Sequence, residues 1–290
     1  MTILFKKYSR KYFIIIFFFL IFFFLFFVNH ALAKNCYKED FVNFVSDAVG
    51  CIAINIHQEE EFSENIGNKN KLVFFLHGDQ LDSKVTYFND FASNFIASNA
   101  LIISITRPGW TNTKDHKSAG KKNISKGDNY VPKVDVDPIY RVIKKLKKKY
   151  QLNNTLVVGH SGGAAIAGIL SGRFPNLIDE AILISCPCIV PPWRKNYFDQ
   201  ISKKSNNRYC APVFKSHSPH DYIKRIDPKL KTKIFVGNHD HNTLPVFSVT
   251  YHKLLVENKK KSEILYFEGN HNSVLDNKKL MKTVEKIINS

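Results

Sequence analysis

The run Leu156-Val157-Val158-Gly159-His160-Ser161-Gly162-Gly163-Ala164-Ala165 constrains the fold more than any other part of the chain. A short apolar stretch of β type runs into Gly-His-Ser-Gly-Gly, and a helical run of small residues begins at once. This is G-x-S-x-G in the context that gives it meaning: strand, sharp turn, helix. Such a turn strains the serine and exposes its hydroxyl at the end of a sheet. Gly159 and Gly163 flank it because side chains there would strike the neighbouring strand and helix. The helix starting at Ser161 aims its positive end at the spot where negative charge would develop. Ser161 is therefore the candidate nucleophile.

Two phosphate-binding readings fail on spacing. A dinucleotide fingerprint needs G-x-G-x-x-G, which Gly159, Gly162 and Gly163 do not supply. A Walker loop needs a lysine after its glycines, and none follows here.

From residue 48 onward, apolar runs alternate with helical patterns. Strands are expected at Cys51–His57, Lys71–His77, Ala100–Thr106, Thr155–Gly159, Ala181–Cys186, Lys233–Gly237 and Glu263–Phe267. Helices are expected at Tyr87–Ala97, Asp137–Tyr150, Ser161–Gly172, Pro245–Glu257 and Lys278–Ile288. The alternation predicts an α/β fold, with a mainly parallel sheet covered on both faces. Unbroken runs such as Leu72-Val73-Phe74-Phe75-Leu76 suit doubly buried parallel strands. Two segments interrupt the pattern. Trp110–Lys133 is polar and reads as a mobile loop. The stretch 189–232 is too long for a plain connection and reads as a cap or lid insertion that shapes the substrate pocket.

The N-terminus is of another kind. Lys6, Lys7, Arg10 and Lys11 precede an unbroken apolar run from Phe13 to Val28, and Ala31-Leu32-Ala33 follows it. That is the layout of a secretory signal peptide over residues 1–33, leaving a mature domain of 34–290. The competing reading is an uncleaved anchor, the chain's one route to a membrane. A lipid-anchor site is disfavoured because Asn35, before Cys36, is not small. An address in the periplasm or outside the cell is the expectation.

The chain carries 42 basic and 25 acidic residues, a net charge of +17. Removing the four basic residues of the leader leaves 38 against 25, or +13. Lysines cluster at 144–149 and 259–261, on segments that read as solvated helix, so a nucleic-acid partner is not expected. All five cysteines lie beyond the leader. Export permits disulfides. The pairing expected is Cys36–Cys51 and Cys188–Cys210, with Cys186 buried at a strand end. Cys186-x-Cys188 lacks the second pair a zinc site needs.

In open parallel sheets, sites lie beyond the carboxyl ends of the strands. The strand at Lys233–Gly237 runs into Asn238-His239-Asp240-His241. Asp240 falls between nucleophile and final histidine, the order Ser, Asp, His. His239 and His241 beside it raise a metal reading, which has no third ligand to support it. The last strand runs into Gly269-Asn270-His271, placing His271 to take the Ser161 proton while Asp240 holds its other nitrogen. The strand at Lys71–His77 ends in His77-Gly78-Asp79. Gly78 lets the backbone approach closely, and the N–H groups of Asp79 and Gly162 are the candidate oxyanion donors. His77 and the Asp79 side chain would brace that loop.

Gly159–Gly163, His77-Gly78, Gly237-Asn238-His239-Asp240 and Gly269-Asn270-His271, in this order and each at a strand end, together resemble the α/β-hydrolase superfamily. The resemblance covers roughly residues 70–290. Ser161-Gly162-Gly163-Ala164 and Arg107-Pro108-Gly109 are similar to exported prolyl-oligopeptidase-like and esterase-like members. The resemblance implies an eight-stranded sheet, no cofactor, and hydrolysis of a small ester or peptide substrate. The residues leave esterase, peptidase and a catalytically inactive binding protein open. The mainly basic insertion, with Asp199, Asp221 and Asp227 as its acids, tips the balance to esterase.

Overall fold

A computed structural model describes residues 36, 38–58, 69–80, 82, 84–122, 130–196 and 216–290. Its centre is one eight-stranded sheet in the order β1-β2-β4-β3-β5-β6-β7-β8. The strands are β1 (Phe44–Asp47), β2 (Gly50–His57), β3 (Lys71–Leu76), β4 (Ala100–Ile105), β5 (Asn154–His160), β6 (Glu180–Ile184), β7 (Lys231–Gly237) and β8 (Lys261–Phe267). From β4 to β8 every neighbouring pair is parallel. The β1–β2 hairpin adds an antiparallel edge, with β2 against β4.

Among the described residues, the sheet is covered by the helices α1 (Tyr87–Ser93), α2 (Asp137–Tyr150), α3 (Gly162–Arg173), α4 (Pro245–Glu257) and α5 (Lys278–Ile288). In β3 the period of two sends Leu72, Phe74 and Leu76 to the core under α2, α3 and α4. Val73 and Phe75 face the opposite core with α1 and α5. Both cores are needed because a parallel sheet is buried on both faces. Helix α2 buries Ile139, Val142, Ile143, Leu146 and Tyr150 and ends in Lys147, Lys148 and Lys149, which suit its negative end. Helix α3 is buried all round and built of small residues, so it can lie close to the central strands.

The expected elements agree with these, with boundaries shifted by a few residues, and β1 is added at the edge. It is too short to carry a strand pattern of its own. In the loop Trp110–Lys133, read above as mobile, Trp110, Asn112 and Ser118 are buried while Lys114, Asp115 and Lys117 face solvent. The Ser118 hydroxyl donates to Thr106 O while accepting from the Ala53 N–H. It satisfies the backbone of the strand edge instead of facing water.

The cysteine pairing is corrected in one half. Cys36–Cys51 is present, but Cys188 pairs with Cys186 rather than with Cys210. The chain turns sharply after β6, with Ser185 at φ 49°, and brings the α-carbons of Cys186 and Cys188 to 5.1 Å. That spacing is within disulfide reach without long-range closure. Cys210 lies outside the described residues, as do residues 1–33, read above as a leader, and residues 197–215 of the expected insertion, including Asp199. Of 189–232, the described residues are 189–196, helical from 190, and 216–232, which hold a short 3₁₀ turn at Pro219–Arg225 and the start of β7.

Candidate active site

The site lies at the carboxyl ends of β3, β5, β7 and β8. Ser161 sits between β5 and α3 at φ 53° and ψ −120°, a conformation L-residues rarely adopt. Its N–H bonds Ile184 O and its carbonyl accepts from the Ala165 N–H, so strand and helix hold the turn from both sides. The flanking glycines are steric requirements. A β-carbon on Gly159 would lie 2.4 Å from Gly163 O, and one on Gly163 would lie 1.9 Å from Leu76 O.

The structure brings Ser161, His271 and Asp240 together. His271 Nε2 is 3.0 Å from Ser161 Oγ, and His271 Nδ1 is 2.9 Å from Asp240 Oδ2. With Nδ1–H donating to the carboxylate, Nε2 is left as the acceptor that faces the serine. Asp240 is 2% exposed. Burial alone would raise its pKa, but His271 and the Thr243 hydroxyl and N–H outweigh burial and hold it below the usual carboxylate value.

Thr243 is a member of this site that sequence reasoning did not find. Its hydroxyl donates to Asp240 Oδ2 at 2.6 Å, and the Thr243 and Asn242 N–H groups both donate to Oδ1. The signal was present as Asp-x-x-Thr, a spacing at which an aspartate caps its own turn. His239 turns away to contact Glu268, with Nε2 2.8 Å from Oε1. Among the described residues, no group of three or more His, Cys, Asp or Glu is placed to hold a metal ion.

The loop after β3 meets Ser161 from the other side. The Gly78 N–H is taken by the Tyr87 hydroxyl at 2.7 Å, which points the candidate oxyanion role to the next N–H, that of Asp79. Gly162 opens α3, so its N–H has no acceptor within the helix. His77 Nε2 accepts from the Arg107 N–H, and its Nδ1–H donates to Gly78 O. The Asp79 carboxylate is held by Arg107 at 2.7 Å and by the Tyr130 hydroxyl at 2.9 Å. Next to Ser161, His160 Nδ1 accepts from the Tyr87 hydroxyl, and its Nε2–H donates to His271 O at 2.8 Å. Tyr87 thus links the loop after β3 to the loop that carries His271. No local pattern could announce this, because 73 residues separate Tyr87 from His160.

These buried histidines make stability depend on pH. Burial, with Arg107 nearby, pushes His77 down to about 3; burial, with His271 nearby, pushes His160 down to about 3; burial brings His57 to about 4. Below about pH 6.5 an unfolded histidine takes up a proton that the folded one refuses. Their effect is therefore absent above 6.5 and destabilises the fold increasingly as pH falls toward 3 to 4. At pH 5 it amounts to about 2 kcal/mol for each histidine. Asp135, pushed up to about 6 mainly by burial, works in the opposite direction and offsets part of this. Circular-dichroism melts are expected to show Tm lower by about 10 °C at pH 5 than at pH 7.5. Equal melting temperatures would contradict the neutral, buried histidines.

A groove of about 1020 Å³ runs beside the site, between α1 and the loop that follows β8. Gln80, Tyr87, Asp90, Asn272 and Asp276 line it, with Leu275 and Met281 at its floor.

No protein-family model matches the chain, and no curated protein matches it. Solved structures do. An esterase of Pyrococcus furiosus is similar at TM-score 0.57 and 13% identity, over 82% of this chain and 86% of that one. The thioesterase domain of the curacin biosynthetic pathway is similar at TM-score 0.56 and 13% identity, over 85% and 98%. The acylaminoacyl peptidase of Pyrococcus horikoshii is similar at TM-score 0.62 and 14% identity, over 84% of this chain but 40% of that one.

Proposed function

We propose that this chain, which has the α/β-hydrolase fold, is an exported serine hydrolase that cleaves an ester or amide bond through an acyl-enzyme on Ser161. The observation that carries the reading is the run of contacts from Ser161 Oγ through His271 to Asp240, at 3.0 and 2.9 Å, on a nucleophile held at φ 53°.

His271 Nε2 takes the Ser161 proton as Oγ attacks the substrate carbonyl. Asp240 keeps the imidazole in the right tautomer and stabilises the imidazolium. The N–H groups of Gly162 and Asp79 receive the oxyanion, helped by the positive end of α3. His271 then protonates the leaving alcohol or amine. Water, deprotonated by His271, adds to the acyl carbonyl and releases the acid, which restores Ser161.

Export is supported by the leader pattern in residues 1–33 and by two disulfides, which persist in oxidising compartments. Esterase is the favoured arm. A peptidase pocket for a substrate amine draws on carboxylates, and the insertion at 189–232 has only Asp199, Asp221 and Asp227 among many basic residues. The expected result with the mature protein is turnover of nitrophenyl esters faster than of aminoacyl amides. Faster amide cleavage moves the assignment to peptidase, and turnover of neither class overturns the hydrolase.

A further inference from the structure

An acid stands at an awkward place in this site. A β-carbon on Gly162 would lie 2.6 Å from Asp79 Oδ1 and 2.9 Å from Arg107 Nη1. Both charges are thus packed against the residue whose N–H faces the forming oxyanion. A unit charge about 5 Å from a developing one, at an effective dielectric of ~20, changes a rate by on the order of a hundredfold. Left to itself, a charged Asp79 carboxylate beside Gly162 would oppose catalysis.

Arg107 is built into the fold to meet that charge. Its side chain is 2% exposed, and Nη1 donates to both Asp79 Oδ1 and His77 O, at 2.7 and 3.3 Å. The guanidinium carbon lies 4.7 Å from the centre of the Trp110 ring, so an aromatic face covers it. Tyr130 closes the other side, donating to Asp79 Oδ2. Behind them Asp135 is 1% exposed. One of its oxygens accepts from the Val131 N–H, and the other has no partner among the described residues. Burial disfavours a charged guanidinium, but Asp79, Asp135 and Tyr130 outweigh it, so Arg107 stays protonated.

We propose that Arg107 is a positioning residue that neutralises Asp79 beneath the oxyanion, so that an acid can supply an oxyanion N–H without repelling the charge formed there. The pair acts on the transition state rather than on the neutral substrate, because only the former carries the negative charge. The proposal rests on the serine-hydrolase reading above.

The test is a charge cycle in the mature protein: Arg107→Gln, Asp79→Asn and the double variant. It is read as kcat, KM and affinity for an alkyl boronic acid, whose adduct with serine is a tetrahedral anion. Arg107→Gln keeps an amide donor and loses the charge. It is expected to lower kcat and boronate affinity together by about a hundredfold, with KM changed less than about threefold. Adding Asp79→Asn to it removes the unpaired carboxylate and is expected to restore at least about tenfold of both. A double variant as slow as Arg107→Gln, or a loss borne by KM, overturns the proposal and leaves Arg107 a scaffold residue. Should Arg107→Gln not fold, the charge-free pair Arg107→Met/Asp79→Leu replaces it. Boronate affinity within about tenfold of wild type supports neutralisation, and a hundredfold loss overturns it. A wild-type protein that binds no boronate and takes up no fluorophosphonate fails at the earlier step, and the hydrolase reading falls with it.

Discussion

Ser161→Ala is expected to abolish labelling by a fluorophosphonate probe and to lower kcat by roughly 10⁴- to 10⁶-fold, with the fold intact. The probe reacts only with a serine oxygen that a base has activated. Here that oxygen is 3.0 Å from His271 Nε2, whose other nitrogen is held by Asp240. Alanine removes the oxygen and leaves the backbone bonds from Ser161 to Ile184 and Ala165 in place. Residual turnover would come from the oxyanion donors acting on bound substrate and water. Wild-type labelling that survives in Ser161→Ala would place the reactive group elsewhere. Unlabelled, folded wild-type protein would remove the serine mechanism altogether. The Tm of the variant separates loss of chemistry from loss of structure.

The second large effect is on folding. Gly163→Ala adds one methyl group, and it lands 1.9 Å from Leu76 O and 2.6 Å from His77 O. Both are backbone atoms of β3 and its exit, so no rotamer change relieves the clash. Either α3 retreats from the centre of the sheet or the Ser161 turn opens. Overpacking against immovable atoms costs several kcal/mol, enough to lower Tm by about 10 °C or to prevent soluble expression. Gly168→Ala makes a useful companion on the same helix. Its new β-carbon would meet a side chain, Pro219, at 2.9 Å rather than strand backbone at 1.9 Å. A Gly163→Ala variant that melts with wild type would show that the helix does not approach the sheet this closely.

Much of the site was legible because its parts are local signals. Ser161 stands in a strand–turn–helix of about ten residues, and Asp240 and His271 follow their strands by three and four residues. What was missed depends on distant partners. Arg107 was visible as a residue after a strand, but its role depends on Asp79, 28 positions earlier. Cys188 had two partners open to it, and the turn after β6, with Ser185 at positive φ, favours the nearer one. The burial of Ser118 in the Trp110 loop was not legible, because its hydroxyl pairs with strand backbone, which composition does not reveal.

The sequence by itself determined the alternation of strands and helices and the turn that presents Ser161. Side-chain period, glycine placement and turn chemistry act over a few residues and are written in the order of the chain. Only the tertiary structure decided that β3 lies between β4 and β5, and this puts Asp79 beside Gly162 and Arg107 beside Asp79. It also decided that Tyr87 and His160 join the two loops that flank Ser161. Such contacts span tens of residues, and local propensity cannot select them. They form because one order of strands buries both faces of the sheet and leaves Arg107, Asp79, His160 and Tyr87 with partners.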